Sequence, residues 1–145
     1  MRLFLAGPFF TEEEAGRLDK VKTALEKLGY EVYSTSHRNN RINLNSAVEK
    51  TIRFRLLCEE ISKSDGVFAV LDGKDAGTIW EMGYAFAIGK PVIAFIERDP
   101  YFSLMIDRSS AYLVGFENIT EKIADHLKND IDQTPKLGIY TIDDY

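Results

Sequence analysis

Gly66-Val67-Phe68-Ala69-Val70-Leu71, closed by Asp72-Gly73, is an apolar run of strand length with no polar residue in it. A strand with one wet face alternates between apolar and polar residues, whereas an unbroken apolar run suits a strand covered on both faces. Val92-Ile93-Ala94-Phe95-Ile96, entered through Gly89-Lys90-Pro91, has the same character. The acidic, glycine-broken turn Asp72 to Gly77 and a helix running through Ile88 lie between them, so the middle of the chain reads strand, helix, strand.

The same reading extends in both directions. Arg2 to Ala6 is a short apolar strand ended by Gly7-Pro8, and Thr11 with Glu14 forms a capping box for a helix whose inner face carries Ala15, Leu18, Val21, Leu25 and Leu28. Gly29 ends that helix, Tyr30 to Ser34 is a second strand, and Asn45 to Lys63 reads as a helix burying Val48, Ile52, Leu56 and Ile61. Ser110 to Val114 and Glu117 to Asn129 complete the series as strand and helix. This alternation predicts an α/β fold over residues 1–145, a five-stranded parallel sheet flanked by helices in one domain. The segment 130–145 contains Leu137, Ile139, Tyr140 and Ile142, too apolar for a free tail, and is expected to pack on the domain or on a neighbouring subunit.

Composition narrows the function classes. A chain of 145 residues that is 45% hydrophobic can bury a core, and a net charge of −5 without a Lys/Arg block argues against a nucleic-acid polymer as partner. Neither a signal peptide nor a run of about 18 apolar residues is present, so a cytoplasmic protein without membrane contact is expected. Cys58 is the single cysteine and reads as a small buried group, while His37 and His126 lack metal-ligand spacing. No metal and no cofactor is expected, and Gly7-Pro8 is neither a dinucleotide fingerprint nor a Walker A loop.

In a parallel sheet the ligand crevice lies beyond the carboxyl ends of the strands. That gathers Gly7 to Phe10, the loop from His37 to Arg41, Asp72 to Thr78 and Glu97 to Met105 around one place. Glu81, set among Trp80, Met82 and Tyr84, has two readings there. Thr78 and Glu81 have the spacing of a capping box, so Glu81 reaches back to close a helix start; or it stands in the first turn, kept ionised by the helix dipole, as a nucleophile. Asp72 and Asp75 add carboxylates of the kind glycosidic-bond chemistry uses, and solvated turn residues have the same appearance. Gly77 and Gly83 suit turn geometry and close helix packing.

Taken in order, Leu3 to Phe10, Asp75-Ala76-Gly77-Thr78-Ile79-Trp80-Glu81-Met82-Gly83, Gly89 to Val92 and Ser103-Leu104-Met105-Ile106 resemble the nucleoside 2-deoxyribosyltransferase family and its nucleoside 5'-monophosphate N-glycosidase relatives. The resemblance covers roughly residues 1 to 115 and implies a flavodoxin-like or Rossmann-like domain. It implies cleavage of the N-glycosidic bond of 2'-deoxynucleosides, with Glu81 forming a covalent glycosyl ester and the sugar passing to another free nucleobase. By the same resemblance Asp75 contacts the sugar 5'-hydroxyl, Phe9 stacks on the base, and Asn39 or Asn40 reads its edge. Hydrolases of the family tend to carry Ser where this chain has Asp75, so Asp75 favours free nucleosides. Ser103 and Arg38 instead resemble phosphate-binding positions of the hydrolases, which keeps hydrolysis of 5'-monophosphates as the alternative. Gly7, Gly77, Asp72 and Met105 complete the implied substrate-binding set, Ser103 and Met105 being shared between subunits of a homo-oligomer, dimer or hexamer.

Two positions depart from the transferase pattern. Phe4 stands where a Tyr commonly orients the nucleophile, and Leu57 where an Asp commonly handles the proton of the base. Glu60 and Asp72 are the candidates to replace that acid, and a nucleoside or nucleotide sensor without catalysis is the reading in which the chemistry has been lost.

Overall fold

In the computed structural model, which describes residues 1–35, 46–98 and 103–128, β1 (Arg2–Ala6) leads to α1 (Glu12–Lys27) and β2 (Glu31–Ser34). Then come α2 (Ala47–Lys63), β3 (Gly66–Val70), α3 (Ala76–Ala87) and β4 (Val92–Ile96). The remainder is α4 (Leu104–Ser109), β5 (Ala111–Val114), a 3₁₀ turn (Phe116–Asn118) and α5 (Ile123–Lys128). The strands are parallel throughout, in the order β2-β1-β3-β4-β5.

The unbroken apolar runs have their explanation in this sheet. All five positions of β3 and of β4 are buried, because the two strands are central and both faces are covered. Phe68, Val70, Ile93 and Phe95 pack with Leu18, Val21 and Leu25 of α1 on one face. Val67, Ala69, Val92 and Ala94 pack with Ile61 of α2 and Met82 and Ala85 of α3 on the other. Each large side chain fully buried in these layers contributes about 1.5–3 kcal/mol relative to exposure.

The helix after β1 therefore covers one face and the helix after β3 the opposite face, although β1 and β3 are hydrogen-bonded neighbours. The two loops leaving those strands part in opposite directions, and a crevice opens between them at the switch point of the sheet. Gly7 directly follows β1 at this point. A Cβ there would stand 2.6 Å from Leu18 Cδ2 and 3.2 Å from Val70 Cβ, so a larger residue would push α1 away from the sheet.

Several local expectations are corrected. Val48 and Ile52 are 69% and 60% exposed, because α2 buries only its last turns, around Leu57, Glu60 and Ile61. The stretch from Glu117 to Asn129 is not one helix. Asn118 donates its side-chain amide to the Val114 carbonyl at 2.6 Å, and Thr120 accepts from the Lys122 amide at 3.4 Å, local bonds that compete with a continuous helical ladder. What forms is a 3₁₀ turn followed by α5. The short helix α4 was not anticipated, and β2 and β5 begin one residue later than the sequence suggests. Among the described residues no helix is long and apolar enough to cross a membrane. The segment 130–145 lies outside the described residues.

Candidate active site

Asp75, not Thr78, caps the helix that carries Glu81. Its Oδ2 accepts both the Thr78 amide at 2.8 Å and the Thr78 hydroxyl at 2.9 Å, which satisfies one of the open N–H groups at the start of α3. Thr78 is buried beneath this cap, and the amide that Glu81 would accept in a capping box is already donated to Asp75. The capping-box reading of Glu81 is thereby overturned. Glu81 is the sixth residue of α3, about one and a half turns from its start, and no donor among the described residues reaches its carboxylate.

The dipole reading of Glu81 is corrected as well. So far down the helix the positive end of the dipole has faded, and burial of the half-buried carboxyl dominates. Burial, with the nearby negative charge of Asp75 second, raises its pKa from the usual carboxylate range to about 7. A carboxyl group poised there is neutral or ionised according to small changes of surroundings, a behaviour common at catalytic positions. Cys58 on α2 belongs to the same surroundings. Its thiol pKa is raised by burial and then by the charge of Glu81, which brings α2 alongside the carboxylate. One turn earlier on α2, Phe54 meets Trp80 of α3 with ring centroids 5.2 Å apart. Nothing in the sequence signalled this pairing beyond the position of Cys58 next to Leu57.

Gly77 and Gly83 do different things. A Cβ at Gly77 would lie 3.1 Å from Asp75 Oδ2, so glycine leaves the cap unstrained, whereas a Cβ at Gly83 would meet nothing within 4 Å. The expectation of close helix packing therefore does not hold at Gly83.

Across the crevice, Phe9 is 39% exposed and stacked on the still more exposed Phe10, with centroids 5.6 Å apart. The predicted capping box of α1 is present: Thr11 accepts the Glu14 amide at 3.2 Å, and Glu14 accepts the Thr11 amide at 3.1 Å. Glu14 also accepts the Phe10 amide at 2.8 Å, which fastens the loop bearing the two aromatic rings.

Asp72 turns away from Glu81. Its two oxygens accept the Glu97 amide at 3.0 and 3.2 Å, tying the ends of β3 and β4 together, and it stands 3.8 Å from Arg17 Nε. Glu60 is engaged at the opposite end of the sheet, paired with Arg2 at the start of β1. Leu57 packs into the cluster with Ile79 and Met82, and Phe4 is fully buried with its ring against Tyr33. Neither Leu57 nor Phe4 carries a proton to give.

Ser103 caps α4, accepting the Ile106 amide at 3.4 Å. Met105 is 76% exposed and borders an apolar recess of about 500 Å³ with Ile79, Met82 and Phe86. Arg38 and Asn39, like His37, Asn40 and Arg41, lie outside the described residues. The structure thus carries Asp75, Gly77 and Glu81 on the one helix α3, with Gly7 and Phe9 in the loop after the neighbouring strand β1, and leaves Asp72 facing the other side of the sheet.

A family model described as nucleoside 2-deoxyribosyltransferase matches residues 3–133. Among solved structures, the chain is similar to a 2-deoxyribosyltransferase from Bacillus psychrosaccharolyticus at 30% identity, with 93% of this chain and 96% of that one covered and a TM-score of 0.72. A conserved protein from Enterococcus faecalis V583 shares the fold at 20% identity, 88% and 97% coverage and a TM-score of 0.68. The CMP N-glycosidase BcmB of Clostridium botulinum shares it at 21% identity, 86% and 97% coverage and a TM-score of 0.59. No curated protein sequence matches the chain.

Proposed function

The chain belongs to the nucleoside 2-deoxyribosyltransferase family, a family of enzymes, and on that premise we propose that it moves 2-deoxyribose between nucleobases through a covalent ester on Glu81. The observation that carries the reading is the carboxyl group of Glu81, relieved of capping by Asp75, free of donors among the described residues, and poised with a pKa of about 7.

In the first half-reaction an ionised Glu81 oxygen forms a bond to C1' on the face opposite the base. The C1'–N bond breaks, its electron pair leaves with the base, and the base takes up a proton. In the second half-reaction a nitrogen of the incoming base attacks C1', the ester bond breaks, the carboxylate is regenerated and the incoming nitrogen loses its proton. Leu57 supplies no acid, and among the described residues Glu60 and Asp72, engaged with Arg2 and with Glu97 and Arg17, are not placed to give the departing base its proton.

Asp75 divides its two oxygens between tasks. Oδ2 holds Thr78, leaving Oδ1 to accept a hydrogen bond from the 5'-hydroxyl of the sugar. A 5'-phosphate dianion beside this carboxylate and Glu81 would be repelled, which favours free nucleosides. Phe9 offers a stacking face that tolerates several bases. Exposed apolar side chains, Val48, Ile52 and Phe54 on α2 and Trp80 on α3, support assembly into a homo-oligomer.

The test is incubation of purified protein with deoxyinosine and adenine, followed by chromatography. Adenine-dependent formation of deoxyadenosine, lost in Glu81→Gln, is expected; exchange that persists in Glu81→Gln overturns the role of Glu81. The second reading, hydrolysis of 5'-monophosphates, rests on Ser103 at the start of α4. It replaces the first if deoxycytidine 5'-monophosphate alone releases its base while deoxyinosine is untouched. Tight nucleoside binding without turnover would instead mark a sensor.

A further inference from the structure

We propose that Arg17 is a positioning residue for this reaction: with Asp72 and Glu97 it clamps the carboxyl ends of β3 and β4 and so fixes the turn that presents Asp75. The inference rests on the role assigned to Asp75 above.

Arg17 lies on α1, across the sheet from the helix bearing Glu81, and its side chain is largely buried. Its Nε–H donates to Glu97 Oε2 at 2.9 Å, its terminal N–H donates to Glu13 Oε1 at 3.1 Å, and Nε stands 3.8 Å from Asp72 Oδ1. Asp72 in turn accepts the Glu97 amide at both oxygens. One guanidinium therefore serves three carboxylates, two of them just past the ends of neighbouring strands. Without it, Asp72 and Glu97 would face each other as like charges partly shielded from water.

The turn that follows Asp72 needs to be held. Gly73 and Lys74 have φ of 84° and 51°, and Lys74, which is not glycine, is in the left-handed region that side chains disfavour. Such strain persists where the surroundings over-determine it. Here the far end of the turn is fixed by the Asp75 cap on Thr78, the middle by the Lys74 amide donating to the Leu71 carbonyl at 2.8 Å, and the near end by the clamp. The first turns of α1 thus anchor both walls of the crevice, Glu14 holding the Phe9–Phe10 loop and Arg17 holding the Asp72–Asp75 turn. A shift of about 1 Å in a positioned group is enough to change rates by orders of magnitude, so a small relaxation of this turn is visible in kinetics.

A double-mutant cycle on the full chain tests the clamp. In deoxyribosyl transfer from deoxyinosine to adenine, Arg17→Met is expected to lower kcat/KM about ten-fold when Asp75 is present and less than about two-fold in an Asp75→Asn background. Arg17→Lys, which restores the charge but not the fork of donors, is expected to fall between. Equal losses in both backgrounds, or no loss, overturn the proposal. Should Arg17→Met fail to fold, Glu97→Gln enters the same cycle, since it weakens the partner of Arg17 and keeps the backbone amide that Asp72 accepts. Hydrogen exchange tests the clamp apart from the reaction: Arg17→Met is expected to speed exchange at the Lys74 and Thr78 amides while the rest of α3 keeps its protection. Unchanged exchange at those two amides overturns the clamp. Absence of transfer by the wild-type protein would instead overturn the proposed function and leave the exchange result to decide the clamp.

Discussion

Glu81 is the residue on which the chemistry and the stability of the protein pull in opposite directions. Its pKa near 7 means that Glu81, the proposed nucleophile, is only partly ionised at neutral pH, so kcat/KM is expected to rise with pH through about 7. Among the described residues Asp75 and the Cys58 thiol are titratable groups that interact with it, and Asp75→Asn removes one negative charge, which is expected to move that rise to lower pH. A pH–rate profile of both proteins checks this, and an unshifted limb would exclude the coupling. The same pKa affects folding. Because the folded pKa is above the unfolded value of 4.5, the unfolded chain loses its proton first, and stability falls as pH rises from about 4.5 through about 7. Glu81→Gln is therefore expected to be neutral to folding at pH 4 and stabilising by on the order of 2 kcal/mol at pH 8, discounted for its partial exposure. Thermal melts at the two pH values read the difference. The spacing of Asp75 and Glu81 was legible in the sequence, but the direction of the Glu81 pKa was not, since it depends on α2 lying alongside.

At the scale of the element, Asp75 caps α3 and, in the proposed reaction, also serves the site. Asp75→Ala removes the oxygen that accepts the Thr78 amide and is expected to cost about 1 kcal/mol, whereas Asp75→Asn keeps an N-cap of equal quality and is expected to melt within a few degrees of wild type. Both substitutions are expected to impair transfer, so chemical denaturation beside activity separates the two roles; an Asp75→Asn protein as unstable as Asp75→Ala would contradict the assignment. The capping box of α1 and the runs of β3 and β4 were readable because they depend on neighbours in sequence and on burial of both faces. Thr78 with Glu81 had equally good box spacing and failed because Asp75, three residues before Thr78, took the amide first. The inner face of α2 was misjudged at Val48 and Ile52 for another reason: periodicity gives a helix an apolar stripe but not the length over which the sheet covers it. Arg17, Asp72 and Glu97 could not be joined by any local rule, being brought together only by strand order and register.

For the molecule as a whole, the sheet order β2-β1-β3-β4-β5 is what places the loops after β1 and β3 beside each other. The alternation of strands and helices implied the parallel sheet, whereas the crossing of α1 and α3 to opposite faces was readable only through the family resemblance. The apolar residues left open on α2 and α3 belong to this scale too. If they mediate assembly, Ile52→Lys is expected to shift the protein to a smaller species in sedimentation velocity with little loss of helix content, because Ile52 is exposed within one chain. An unchanged sedimentation coefficient would remove that residue from any contact. The shared use of Asp75 in the proposed reaction has a last consequence, for evolutionary change. Asp, Asn, Ser and Thr all serve as helix caps, so position 75 admits residues that are negative or neutral at nearly constant stability. Selection on the charge of the sugar substituent can then act at this position without first crossing a valley of unfolded intermediates.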